Sequence, residues 1–341
     1  MTTTADSVLL EKVLIISGFL PITVFGLLGN FWILISIINV VIRTYSPINY
    51  VFRGMSMYIF ALTLTDILVL LMIPLVISYF ALDNWIFGYF ACKFFFAVES
   101  INKIMSISIL TLMSFERYLL ICKPRYNTCC RFRPRRFQNV LTIVLVFLII
   151  TILLCSPIIY YAKTTDLIIT HKNGTTQHVA TMCFSMLPDY VMSIFIPYIF
   201  FFAFVLPAIF ISTFYCALIR RLRKNDGRNV TKYTKSAVRQ ILMAVIFHFV
   251  CWTPFWICVL IPFLQYFHVV EFSFLFSENA QLFRMISSFL PYVNSAFNWV
   301  FYSRALTHAN LALNVRPRSH FFPSERRSIF VLCVFQTNSS L

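Results

Sequence analysis

Long apolar stretches alternate with short polar ones over most of this chain. Seven of them, Val13–Ile42, Met55–Ala81, Phe94–Cys122, Phe137–Ala162, Tyr190–Ile219, Ala237–Phe267 and Leu282–Tyr302, reach the ~20 residues that a membrane-crossing helix needs. In hydrocarbon every backbone N–H and C=O must be satisfied within the chain, so each stretch is predicted to be a helix. Barrel strands are about half as long and alternate in polarity. The first stretch is too long for a signal-peptide core and no basic segment precedes it, so it is predicted to be a retained span. The expected fold is an all-α bundle of seven transmembrane helices. A short outer N-terminus over 1–12 precedes the bundle over 13–303, and a cytoplasmic tail covers 304–341.

Composition supports a lipid environment. Hydrophobic residues make up 60% of the chain and charged residues 12%, against roughly a quarter charged in soluble domains. The net charge of +16 raises the question of nucleic acid. The charges lie between apolar stretches and not on a soluble basic domain, so nucleic acid is not an expected partner. Twenty-two of the 28 basic residues fall in the segments after stretches one, three and five and in the tail. That bias puts the N-terminus outside and the C-terminus in the cytoplasm, at the plasma membrane as a multi-pass protein. The sequon Asn173-Gly174-Thr175 then falls outside and is a glycosylation candidate. Cys92 and Cys183 are the cysteines facing outward, and an oxidising compartment favours their pairing.

Ionisable residues within spans are costly and mark candidate functional sites. Asp66 sits in the middle of span two. Asn30, Asn102, Ser106, Asn294, Ser295 and Asn298 are polar residues able to face it. Such a set suits either a small hard cation, which takes oxygen ligands, or a hydrated hydrogen-bond network between helices. Glu99 lies two turns, about 10 Å, below Cys92 on the same face of span three. It is placed either to meet a cationic ligand group or to pair with Lys103 one turn on. Glu116 and Arg117, at the inner end of that span, read either as a local ion pair or as two snorkelling interface residues.

These residues and their order resemble the rhodopsin-like G-protein-coupled receptors over about residues 13–303. Span one carries Gly29-Asn30, and span two carries Leu62-Thr63-Leu64-Thr65-Asp66 and then Pro74. Trp85-Ile86-Phe87-Gly88 precedes Cys92, and span three ends in Glu116-Arg117-Tyr118. Span five has Phe204-Val205-Leu206-Pro207 and Tyr215, and span six has Cys251-Trp252-Thr253-Pro254. Span seven has Asn294-Ser295-Ala296-Phe297-Asn298 and Tyr302. The resemblance implies that Arg117 contacts a heterotrimeric G protein once span six moves outward. Glu116, Tyr118, Tyr215, Asn298 and Tyr302 would serve activation, and Pro254 would provide a kink. Trp252 would floor a ligand pocket that Glu99, Phe255, Ser288 and Tyr292 also line. It further implies that Asp66, Asn102, Ser106, Asn294, Ser295 and Asn298 form an allosteric sodium site. No other cofactor and no catalysis are implied. Arrestin and membrane lipid are further partners in that family.

The chain departs from the family pattern in places. Asn298-Trp299-Val300-Phe301-Tyr302 lacks the usual proline, so span seven is expected to bend less at its end. His248 replaces a usual phenylalanine below Trp252, and Thr234 stands where an acidic partner for Arg117 is usual.

For the ligand, Asn102, Tyr292 and the outer loops look similar to the somatostatin, opioid and galanin-like branch and to related invertebrate neuropeptide receptors. A neuropeptide with a basic or amidated end, and an inhibitory-class G protein, are the expectations from that likeness. The alternative is a chemosensory or biogenic-amine receptor, although Ile194–Phe201 places no serine toward a pocket. Transporter repeats, a channel filter and an enzyme's paired groups are not seen.

Overall fold

The computed structural model describes residues 4–43, 50–122, 137–170, 177–224, 232–268 and 278–314. Span one is α1 (Thr4–Arg43), and span two is α2 (Tyr50–Leu70) followed by α3 (Ile73–Leu82). Spans three and four are α4 (Gly88–Cys122) and α5 (Phe137–Tyr161). Two strands, β1 (Ala162–Thr170) and β2 (Gln177–Ser185), come next. Span five is α6 (Asp189–Phe200), a π-helical turn over Phe201–Val205 and α7 (Leu206–Lys224). Spans six and seven are α8 (Lys232–Tyr266) and α9 (Glu278–Asn314). Six of these spans are long and apolar enough by themselves to cross a membrane. The seventh, α9, is less apolar because its buried face carries Ser287, Asn294, Ser295 and Asn298.

Proline sets the irregularities. Pro74 has no N–H to donate, and the chain tightens just before it, with Met72 N bonding Val69 O at 3.1 Å and Leu75 N bonding Met72 O at 3.1 Å. Pro207 cannot satisfy the carbonyl of Ala203, and the wider turn over Phe201–Val205 absorbs that mismatch. Span seven shows the converse. Trp299 keeps the N–H that a proline would lack, and α9 runs unbroken past Tyr302 to Asn314.

Two expectations shift. Helix α1 begins at Thr4 and not near Val13, since no glycine or proline interrupts Thr4–Lys12. Lys12 Nζ reaches Asp83 Oδ2 at 2.5 Å and ties this extension to the end of α3. The second outer loop is a β-hairpin, with Ala162 opposite Ser185 and Thr164 opposite Cys183. It is the sheet among the described residues, set on an otherwise helical bundle. Asn173 lies outside the described residues, as does most of the segment assigned to the tail.

The Cys92–Cys183 disulfide forms as expected and fastens β2 to the head of span three. The first outer loop joins it, because Trp85 N donates to Thr181 O at 2.8 Å and Thr181 N donates to Asn84 Oδ1 at 2.8 Å. The Trp85 indole donates to Gly88 O at 2.9 Å, a closure that needs Gly88 at φ +75°.

Span three runs through the middle of the bundle, and Ile107, Ile109 and Leu110 are wholly buried. The opposite faces of the outer helices present Leu28, Ile149, Leu153 and Val250, all well exposed, as lipid-facing surface requires. Lipid tails remove most of the hydrophobic drive for helix pairing, so close backbone approach matters more. Spans one and seven show it. A Cβ on Gly26 would stand 2.8 Å from the Ala296 Cβ, and one on Gly29 would stand 2.0 Å from the Trp299 indole. The indole also packs against Phe25, with ring centroids 5.2 Å apart. The replacement of a usual proline by Trp299 is thus accommodated by a glycine on the facing helix. Gly29→Ala is expected to destabilise the protein by about 1–3 kcal/mol, the range for overpacking. Thermal melting in detergent checks it: the cost should nearly vanish in a Trp299→Ala background. An equal cost in both backgrounds contradicts the contact.

Candidate functional site

Three groups of predicted residues occupy three depths of the bundle. At mid-membrane, Asp66 is fully buried on span two. Its Oδ2 accepts from Asn298 Nδ2 at 2.9 Å. Ser106 Oγ donates to Asn102 Oδ1 at 3.1 Å, and Asn102 Nδ2 donates to Ser295 Oγ at 3.1 Å. Asn30 Nδ2 donates to Gly26 O at 2.9 Å and to Ser295 O at 3.1 Å. Spans one, two and three therefore all bond to span seven over one helical turn, through Ser295 and Asn298.

Asp66 Oδ1, Asn298 Oδ1 and both amide atoms of Asn294 meet no partner among the described residues. An unmatched carboxylate oxygen, buried and surrounded by neutral oxygen donors, fits a small hard cation. Asp66, Asn102, Ser106, Asn294, Ser295 and Asn298 are the residues that would hold sodium. The ion would offset the buried negative charge there.

At the inner end, Arg117 and Glu116 are 3% and 5% exposed, so neither snorkels. Nor do they pair with each other. Neighbours on a helix point in different directions, and Arg117 Nη2 turns instead to Met55 Sδ on span two. Tyr118 stacks on Phe214 of span five at 5.6 Å. Tyr215 O–H donates to Val238 O of span six at 3.4 Å. Tyr302 is buried with its hydroxyl unmatched among the described residues.

At the outer end, the five expected ligand residues do not line one pocket. A cavity of about 420 Å³ lies between spans three, four, five and six, beside Ser185, Met186 and Leu187 at the hairpin end. Phe255 and Lys103 line it, with Trp256, Phe195 and Ile199. Ser288 lies elsewhere, on a crevice of about 370 Å³ with Phe19, Phe80 and Arg284, and its hydroxyl bonds its own helix at Met285 O, 2.6 Å away. Glu99 and Tyr292 face each other between the two, with Tyr292 O–H 3.5 Å from Glu99 Oε1. Trp252 is 2% exposed and forms buried floor more than wall. Beneath it His248 stacks at 5.7 Å, so the imidazole fills the phenylalanine's role as a flat buried ring.

Lys103 does not lie in contact with Glu99. Its ammonium sits 4.4 Å from the Phe255 ring centre and 5.7 Å from those of both Trp252 and Trp256. The i+4 spacing permits a Glu99 pair, but the apolar stem carries the charge toward the ring faces, which attract cations.

The sequence of residues 35–302 matches the family described as 7 transmembrane receptor (rhodopsin family). The chain belongs to that family. It is a multi-pass receptor of the plasma membrane, and its family comprises signalling receptors and not enzymes. Among similar proteins, Neuropeptide receptor 18 of Caenorhabditis elegans is 30% identical over 278 residues, covering 72% of this chain and 55% of that protein. A probable G-protein coupled receptor of the same organism, C06G4.5, is 29% identical over 309 residues, covering 86% of this chain and 66% of that one. The receptor described here thus spans between about half and two thirds of the length of these relatives.

Sequence reasoning grouped Asp66 with Asn30, Asn102, Ser106, Asn294, Ser295 and Asn298; the structure bonds Asp66 to Asn298 and joins Asn30, Asn102 and Ser106 through Ser295, while the Asn294 amide meets no hydrogen-bond partner among the described residues. It missed three things. Met55 as the neighbour of Arg117 left no signal in the sequence. Trp256 against Lys103 could have been found, since Trp252, Phe255 and Trp256 recur at helical spacing toward span three. The fit of Gly29 to Trp299 needed both helices in place.

Replacing choline chloride with sodium chloride is expected to raise the melting temperature of the detergent-purified receptor. Asp66→Asn should lose that response. An undiminished sodium response in the variant excludes this seam as the cation site.

Proposed function

We propose that this receptor binds an extracellular neuropeptide and converts that binding into activation of a heterotrimeric G protein through outward movement of span six. The observation that carries the reading is the outer cavity. It sits at the outer end of spans three, four, five and six, its floor includes residues of span six, and a disulfide-fastened hairpin stands beside it. A relative named as a neuropeptide receptor supports the peptide class.

In this reading ligand contacts fall on Glu99, Phe255 and Tyr292, with Ser288 on the neighbouring crevice and Trp252 beneath. Signalling works as a two-state equilibrium that ligand and G protein both bias. In the state described here Arg117 is buried against span two, and Tyr215 bonds span six. Movement of span six about Pro254 would break the Tyr215 contact and expose Arg117, with Glu116, Tyr118, Asn298 and Tyr302 completing the inner machinery. The basic inner segments suit a G protein surface, arrestin and anionic lipid. An inhibitory-class G protein is the partner proposed, and sodium at Asp66 the allosteric ion.

A biogenic amine is disfavoured by the cavity's span-five wall of Met192, Phe195, Ile196 and Ile199, which offers no hydroxyl.

The test is a calcium screen in cells expressing the receptor with a broadly coupling G protein, against neuropeptides and against amines and small odorants. A potent peptide response that disappears in Arg117→Ala, with surface expression retained, is the expected result. Response to small molecules alone replaces the peptide reading with the chemosensory one. For a peptide agonist with a basic end, Glu99→Gln is expected to lower potency by about tenfold or more, equivalent to ~1.4 kcal/mol. Unchanged potency assigns Glu99 to Tyr292 alone.

A further inference from the structure

Among the described residues, Lys103 is the one charged side chain lining the outer cavity, and no acidic one shares that lining. The family resemblance drew attention to Glu99, an acid. The cavity itself carries the opposite sign. Three aromatic rings surround the ammonium, and among the described residues it meets no hydrogen-bond acceptor. Ring faces attract a cation but accept none of its three N–H bonds in the way an oxygen does. Glu99, four residues back, is close enough to be felt electrostatically, yet the two make no ion pair and Glu99 takes a hydrogen bond from Tyr292. Lys103 and Glu99 are thus turned toward different partners on span three.

A lysine held this way in a largely apolar cavity is an incomplete anion site. A carboxylate entering it would form charge-assisted hydrogen bonds shorter and stronger than neutral ones. An amide of the same shape would offer the ammonium no charge-assisted partner in a poorly hydrated space, where weakly matched polar groups are costly. The remaining walls, with Phe195, Ile199 and Trp256, suit a large apolar group beside that carboxylate.

We propose that the cavity selects a ligand bearing a carboxylate next to an apolar side chain, a free peptide C-terminus of that kind, and that Lys103 is the residue determining this preference. The inference rests on the peptide reading above and refines it. It also departs from the amidated end suggested by family likeness.

The test uses the purified full-length receptor and short N-acetylated peptides ending in Phe, Leu or Trp, each made as free acid and as amide. Binding is read as thermal stabilisation over a concentration series. The free acids are expected to act at concentrations at least about tenfold below the amides, the loss that ~1.4 kcal/mol produces. Lys103→Gln should erase that difference, and Lys103→Arg should keep it. Amides that stabilise the wild type as well as acids do overturn the proposal, and so does an acid preference that survives in Lys103→Gln. 3-Phenylpropionate separates the two levels of the argument. If it stabilises the wild type but not Lys103→Gln while no peptide acts, the anion site stands and the peptide reading falls. If peptides act equally as acids and amides, the peptide reading stands and the role of Lys103 falls.

Discussion

The bundle depends on a buried polar seam that converges on span seven. Apolar contact holds soluble helices together, but in lipid the alternative surroundings are just as apolar. What distinguishes one helix arrangement from another is close packing and the hydrogen bonds that buried polar groups cannot make elsewhere. Asn30, Asn102 and Asp66 come from three different spans and all meet Ser295 or Asn298. Individual bonds of this kind average only about 0.6 kcal/mol in a membrane. Their weight comes from geometry: shifting span seven by a turn would orphan all three partners at once.

That seam shares its helix with the chain's clearest departure from the family pattern. Trp299 keeps α9 hydrogen-bonded where a proline would interrupt it, and its indole needs room. Gly29 supplies that room one residue before Asn30, so the steric fit and the polar contact lie side by side on span one.

Function is layered along the same axis. The outer cavity, the buried ring pair of Trp252 and His248, the Asp66 seam and the Arg117 end lie in succession from outside to inside. Span six touches the first two, and Tyr215 reaches it at the inner end. In the proposed reading, motion of that one helix would connect ligand chemistry to the cytoplasmic face without any continuous chain of charges.

The spans, their orientation and the disulfide were legible in the sequence because each follows from a local property. Apolar length sets a span, the asymmetry of lysine and arginine sets its direction, and Cys92 and Cys183 were the cysteines left outside. That Asn30, Asp66, Asn102, Ser106, Ser295 and Asn298 would gather at one depth was also legible, since lipid leaves polar side chains few places to go, while Asn294, grouped with them, meets no hydrogen-bond partner among the described residues. The sequence left open where Lys103 points and whether Glu116 and Arg117 pair or snorkel. Only the packed structure decided these, because they turn on which neighbours a side chain finds when it leaves its helix. Lys103 finds three rings, Arg117 finds Met55, and Trp299 finds a glycine; none of those partners is near it in sequence except through the fold.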